Sequence, residues 1–129
     1  MNKPIKLIII DLDGTIINSG PDLIDSLNFV LKKQELKNID MKVVGNLVGG
    51  GAQLMIERAF KHLGHQISLN RMDSMINDFL EFYYKNCDKK SQLYPGVVET
   101  LKTLKSRFKL AICTNKKQFL TEKILQSYK

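Results

Sequence analysis

Residues 7–15 read Leu-Ile-Ile-Ile-Asp-Leu-Asp-Gly-Thr, and no other stretch of the 129-residue chain limits the fold as tightly. Leu7, Ile8, Ile9 and Ile10 form an unbroken apolar run, the pattern of a strand buried on both faces of a parallel sheet. The strand is expected over about residues 6–11. It stops at two carboxylates, Asp11 and Asp13. An unpaired carboxylate costs several kcal/mol to bury, so these acids belong at the strand's end, where a cation can meet them. Alternate residues of a strand share a side, but Gly14 turns the chain. Asp11 and Asp13 can therefore flank one site from different directions. In parallel α/β sheets ligands bind at the carboxyl ends of the strands, which is where these acids fall.

The rest of the chain reads as helices around a second strand. Pro21 suits the first turn of a helix capped by Ser19 or Gly20, with Leu23, Leu27, Val30 and Leu31 as its apolar stripe. A short helix is expected over about 40–47, and Gly49-Gly50-Gly51 then breaks the chain. A third helix carries Ala52, Met55, Ile56, Ala59, Phe60 and Leu63 on one face and stops at Gly64. A fourth carries Met72, Met75, Ile76, Phe79, Leu80 and Tyr83 at helical spacing, a stripe read as core. Residues 18–90 thus read as an all-helical insertion. After Tyr94-Pro95-Gly96 a further helix turns Val97, Leu101 and Leu104 inward. A second apolar strand, about 108–113, ends in Thr114-Asn115-Lys116, and a last helix runs from near Lys117 to Lys129.

Charge and cysteine content narrow the partners. The net charge of +7 comes from 17 Lys and only 3 Arg. Base readout and bidentate phosphate clamps favour Arg, and the lysines are scattered, so they read as solvated helix faces that attract small anions. No nucleic-acid partner is expected. Cys87, near a helix end, and Cys113, in a strand expected to be buried, make no metal pattern and read as free thiols of a reducing compartment. No apolar run reaches the ~18 residues that span a bilayer. Residues 1–6 lead straight into the first strand, which leaves no room for a signal peptide. The expectation is a cytoplasmic protein without a membrane partner. His62 and His65 lie near a helix end, and no role is assigned to them.

Two strand ends therefore present Asp11, Asp13, Thr114, Asn115 and Lys116. Two close carboxylates repel unless a proton or a cation sits between them. Hard oxygen ligands of this kind suit Mg2+, which binds through one or two carboxylates plus waters and substrate phosphate. A carboxylate so neutralised can attack phosphorus. A second acid can protonate the leaving oxygen and later activate water. Thr114 and Asn115 can donate to phosphate oxygens and can also cap the last helix. Gly49-Gly50-Gly51 before a helix could be an anion-binding turn, but it lacks the Gly-Lys-Ser/Thr ending of a nucleotide loop, so it reads here as a plain hinge between helices. Arg58 could meet a substrate carboxylate but reads first as a surface helix residue.

Asp11-Leu12-Asp13-Gly14-Thr15 closely resembles the first signature of the haloacid dehalogenase superfamily of phosphatases. The resemblance implies that Asp11 is the nucleophile and a Mg2+ ligand. It also implies that Asp13 is the general acid/base and binds Mg2+ through its main-chain carbonyl. Thr114-Asn115-Lys116 resembles the second signature, whose Thr hydroxyl binds the phosphoryl group. The implied fold is α/β: a Rossmann-like parallel-sheet core, residues 1–17 and 91–129, with an inserted all-helical cap, residues 18–90. Residues 11–19 with Pro21-Asp22-Leu23, residues 48–52 with Glu57-Arg58-Ala59, Tyr94-Pro95-Gly96-Val97 and Thr114-Asn115-Lys116 look like the phosphoglycolate phosphatase branch. That branch implies a small phosphorylated metabolite as substrate and a cap loop at Gly50 and Gly51 touching it.

Asn18 stands where that pattern has Asp. The third signature, a Lys, and the fourth, an acidic strand end, would lie beyond Lys129, so the core is expected to be incomplete. Lys116 is no obvious replacement, since it already matches the second signature. Without a strand on its second side, Leu7-Ile8-Ile9-Ile10 would be an exposed apolar edge. The chain is then expected to self-associate through that strand or to be a fragment of a longer protein. The alternatives to a phosphomonoesterase are a catalytically incomplete remnant acting as an association module and a sugar-phosphate mutase of the same superfamily.

Overall fold

The computed structural model describes residues 2–128. Strand β1 (Leu7–Ile10) leads through the acidic turn to the short β2 (Ile17–Asn18) and helix α1 (Gly20–Lys33). A 3-10 turn (Met41–Val43) runs into α2 (Val44–Leu47), followed by α3 (Ala52–His62) and α4 (Leu69–Asn86). The chain returns through β3 (Gln92–Leu93), α5 (Val97–Lys105), β4 (Lys109–Ile112) and α6 (Gln118–Gln126). The expected short helix over 40–47 is thus split into a 3-10 turn and one α-turn. The last helix ends at Gln126, and Lys129 lies outside the described residues.

β1 and β4 pair in parallel, Leu7 opposite Lys109 and Ile10 opposite Ile112. One residue further, the Cys113 N–H donates to the Ile10 carbonyl at 3.0 Å. This register sets the two carboxyl ends side by side, so Asp11 and Thr114 emerge at the same edge of the sheet. β2 and β3 pair antiparallel, Ile17 with Leu93 and Asn18 with Gln92, and join the chain on its way into and out of the helical segment.

One apolar core runs through the molecule. Leu12, Ile16 and Ile17 of the acidic turn belong to the same buried cluster as Leu23, Leu27, Val30 and Leu31 of α1, Met55, Ile56, Ala59 and Phe60 of α3, Met72, Met75, Phe79 and Tyr83 of α4, and Leu120 and Ile124 of α6. Each fully buried Leu, Ile or Phe contributes about 1.5–3 kcal/mol. Stacked rings of Phe29 and Phe82, 4.5 Å apart, hold α1 along α4.

The sheet departs from expectation. Leu7 is 48% and Ile9 64% exposed, so β1 is not buried on both faces. Double burial needs helices on both faces and strands at both edges, and among the described residues β4 is the only strand paired with β1. Among the described residues the side of β1 away from β4 has no paired strand, as expected. Cys113 is likewise exposed rather than buried, just past the end of β4, while Cys87 is buried at the end of α4. Val97, Leu101 and Leu104 of α5 are only half-buried, for the same lack of covering layers.

A single carboxylate pins the crossing between sheet and helices. Asp22, in the first turn of α1 and 1% exposed, accepts from the Lys90 N–H at 2.9 Å, the Ser91 N–H at 2.7 Å and the Ser91 hydroxyl at 2.7 Å. The Tyr128 hydroxyl donates to the Ser91 carbonyl at 2.7 Å from the other side. Removing a buried charged acceptor strands its donors. Asp22→Ala is therefore expected to lower the unfolding free energy by ~2–4 kcal/mol, read as a lower urea midpoint, with Asp22→Asn falling between the two. A midpoint unmoved by Asp22→Ala would show that water replaces the carboxylate.

Candidate active site

The acidic turn folds around Leu12, which is fully buried. Its carbonyl accepts from the N–H groups of Thr15, Ile16 and Ile17 at 3.2, 2.9 and 3.2 Å. Gly14 supplies the left-handed backbone this demands, with φ +79°. With Leu12 facing the core, its neighbours are turned away from it. Asp11 is exposed, and one of its carboxylate oxygens accepts from the Leu12 N–H at 2.8 Å. Asp13 is half-buried. Its Oδ1 accepts from the Ser19 hydroxyl at 2.5 Å and lies 3.0 Å from Lys116 Nζ.

Ser19 precedes α1 as expected of a cap, but its side chain makes no capping hydrogen bond. Its hydroxyl is spent on Asp13 instead. A similar correction applies at the second strand end. The cap residue of α6 is Lys117, not Thr114 or Asn115, and the Thr114 hydroxyl oxygen accepts from the Lys116 N–H at 3.1 Å. Asn115 is exposed beside it.

Lys116 is the residue that sequence reasoning undervalued. Its side chain is 4% exposed and reaches inward to Asp13. It donates to the Tyr83 hydroxyl, and Nζ stands 4.3 Å from that ring's centroid. Burial pulls the Lys116 pKa below the ordinary lysine value, with Asp13 opposing the shift. Burial also pushes the Tyr83 phenol well above the usual tyrosine range, with the Asp13 charge adding to the effect. Tyr83 thus stays a neutral phenol and the ammonium's nearest partner from α4. Only its short distance in space, not its helical spacing, marks it as more than core.

These groups line a cavity of about 350 Å3. Asp11, Asp13, Thr114, Asn115, Lys116 and Lys117 form its sheet side. Gly49, Gly50 and Gly51, with Ile76, Phe79, Leu80 and Tyr83, form its helical side. The α4 stripe is therefore part core and part cavity wall. Gly50 has φ +82°, a conformation L side chains rarely adopt. The Gly49 carbonyl accepts from Arg58 Nη1 at 2.7 Å, so Arg58 tethers the glycine loop rather than standing free on the surface.

The donor set suits a hard divalent cation. Asp11 offers an exposed carboxylate with one oxygen free of hydrogen bonds among the described residues. The Asp13 carboxylate is already engaged by Ser19 and Lys116, which leaves its main-chain carbonyl as the better donor. Among the described residues no group of three His, Cys, Asp or Glu side chains forms a metal cluster. Mg2+ needs only one or two carboxylates when water and phosphate complete its shell, so the residues fit it.

A family model described as haloacid dehalogenase-like hydrolase matches residues 8–129. The chain is 42% identical over 117 residues to a phosphoglycolate phosphatase of Mesorhizobium japonicum, covering 90% of this chain and 51% of that one. It is 38% identical over 133 residues to a phosphoglycolate phosphatase of Mannheimia succiniciproducens, covering 99% and 59%. The crystal structure of a predicted phosphoglycolate phosphatase from Haemophilus somnus superimposes with a TM-score of 0.85 at 35% identity, over 95% of this chain and 57% of that one. A predicted phosphatase from Clostridium acetobutylicum shares the fold, with a TM-score of 0.86 at 20% identity over 98% and 57%. The fold is thus α/β with a Rossmann-like core. The chain spans 51–59% of the length of the curated relatives named here.

The buried phenol makes a pH prediction. An unfolded chain ionises its tyrosines near pH ~10, whereas folded Tyr83 keeps its proton beyond that. The stability it contributes is complete below the unfolded value and is lost progressively as the pH rises above that value toward the folded one. In a spectrophotometric titration of the folded protein, Tyr83→Phe is expected to leave the phenolate step near pH ~10 unchanged. A step reduced by one tyrosine would contradict the burial of Tyr83.

Proposed function

Because this chain belongs to the haloacid dehalogenase-like hydrolase family, we propose that it carries the nucleophile-bearing part of a Mg2+-dependent phosphomonoester hydrolase, with 2-phosphoglycolate as the favoured small metabolite. The observation that carries this reading is the convergence of Asp11, Asp13, Thr114, Asn115 and Lys116 on one cavity at the carboxyl ends of β1 and β4. The relatives' printed names support the choice of substrate.

The Asp11 carboxylate attacks phosphorus. An Asp11 O–P bond forms as the bond from phosphorus to the leaving oxygen breaks. Asp13, in its acid form, gives its proton to that oxygen. In the second half Asp13 takes a proton from water, the water oxygen bonds to phosphorus, and the aspartyl O–P bond breaks to release orthophosphate. The Thr114 hydroxyl and Asn115 amide donate to phosphoryl oxygens that gain charge during transfer. Asp11, through its carboxylate, and Asp13, through its carbonyl, would hold Mg2+, whose charge lets a carboxylate and a phosphate dianion meet. The helical segment acts as the cap, with α4 and the glycine loop walling the leaving-group side. Both cysteines are free thiols, which supports a reducing, cytoplasmic setting. Among the described residues no helix is long and apolar enough to cross a membrane.

Orthophosphate release from 2-phosphoglycolate with Mg2+ tests the reading. Asp11→Asn is expected to lower it by about a thousandfold or more, because an amide oxygen is a poor nucleophile. Release undiminished in that variant would remove Asp11 from the role of nucleophile.

A further inference from the structure

The assignment of Asp13 as acid/base has a geometric corollary for the leaving group. A general acid must lie within about 3 Å of the oxygen it protonates. Asp13 Oδ1 is also 3.0 Å from Lys116 Nζ. The leaving oxygen therefore sits no more than roughly 6 Å from a buried ammonium, and an oxygen three bonds beyond it can close that gap.

The ammonium is held at a fixed point. An ammonium has three N–H donors. One faces Asp13 and one the Tyr83 hydroxyl, and the third has no protein partner among the described residues. The Tyr83 ring, 4.3 Å from Nζ, backs the cation from the α4 side. Tyr83 is 1% exposed and packs tilted against Phe79 with centroids 5.9 Å apart, so its hydroxyl cannot wander. The rest of that wall is neutral: Ile76, Phe79, Leu80 and the glycine loop. The cavity's other lysine, Lys117, is exposed on the sheet side, whereas a fixed cation with an open donor beside a mostly apolar wall favours a negative charge next to it.

We propose that Lys116 is the specificity-determining contact of this site, reading a carboxylate on the carbon that bears the phosphate ester, and that Tyr83 is its positioning residue. The preferred substrates are then phosphomonoesters of small 2-hydroxy acids rather than of neutral alcohols. This rests on the reading of Asp11 and Asp13 given above. No bond to Lys116 is made or broken. Its third donor exchanges water for a carboxylate oxygen.

The test compares binding of 2-phosphoglycolate with ethyl phosphate, which has the same ester carbon and no carboxylate. Calorimetry is run in an Asp11→Asn background with Mg2+, so that neither ester turns over. The ratio of the two dissociation constants, ethyl phosphate over 2-phosphoglycolate, is expected to fall about tenfold or more with Lys116→Met, the value of one charge-assisted hydrogen bond. Tyr83→Phe keeps the ring and removes one oxygen, and a fall of about threefold is expected. It carries the test should Lys116→Met not fold. A ratio unchanged in the folded variants overturns the proposal, as does a wild-type ratio near one in the same background. Orthophosphate appearing during the titration would instead sink the assignment of Asp11 as nucleophile, so the two failures are distinct.

Discussion

The parallel pairing of β1 with β4 is the constraint on which the site depends. Asp11 and Thr114 are about a hundred residues apart in sequence and have no local reason to meet. The ladder that sets Ile10 opposite Ile112, continued by the Cys113 N–H on the Ile10 carbonyl, fixes their separation through main-chain hydrogen bonds alone. Side chains then need only local help. Leu12 anchors the turn, Gly14 permits it, and Ser19 holds Asp13. A slip of one residue in this ladder would turn every side chain of β1 to the opposite face.

Much of this was readable in the sequence, for physical reasons that differ from place to place. Asp11 and Asp13 stand out because carboxylates directly after an apolar run have nowhere to go but a strand end. The stripes of α1, α3 and α4 are legible because burial on one face imposes a 3.6-residue period. What stayed hidden depends on contacts between distant segments. The reach of Lys116 to Tyr83 spans 33 residues, and nothing about a tyrosine on an apolar helix face announces a partner. Asp22 stood out only within the Pro21-Asp22-Leu23 run, and its link to Ser91 crosses 69 residues. The exposure of Cys113 and the half-exposure of α5 depend on which layers cover them, which a local pattern does not encode.

One buried cation ties the two sides of the cavity together. An ammonium withdrawn from water is costly unless paired. Lys116 recovers part of that cost from Asp13 and part from the Tyr83 ring and hydroxyl. The same contacts bridge the sheet side of the cavity to α4, so the helical wall and Asp13 are tied through a single side chain. Arg58 does similar work for the glycine loop through the Gly49 carbonyl.

The clamp at Asp22 has an uneven tolerance for sequence drift built into it. The carboxylate at position 22 grips amide hydrogens at 90 and 91, and amide hydrogens belong to any residue except proline. The lysine side chain at 90 reaches only the half-exposed Asp25, at 2.5 Å, a surface pair of little consequence. One strap of the junction can therefore change its side chain at 90 almost freely, while the other is committed to an acid at a single position. Divergence at this junction should be lopsided: position 90 can drift, whereas position 22 must keep its acceptor and position 91 the hydroxyl that donates to it.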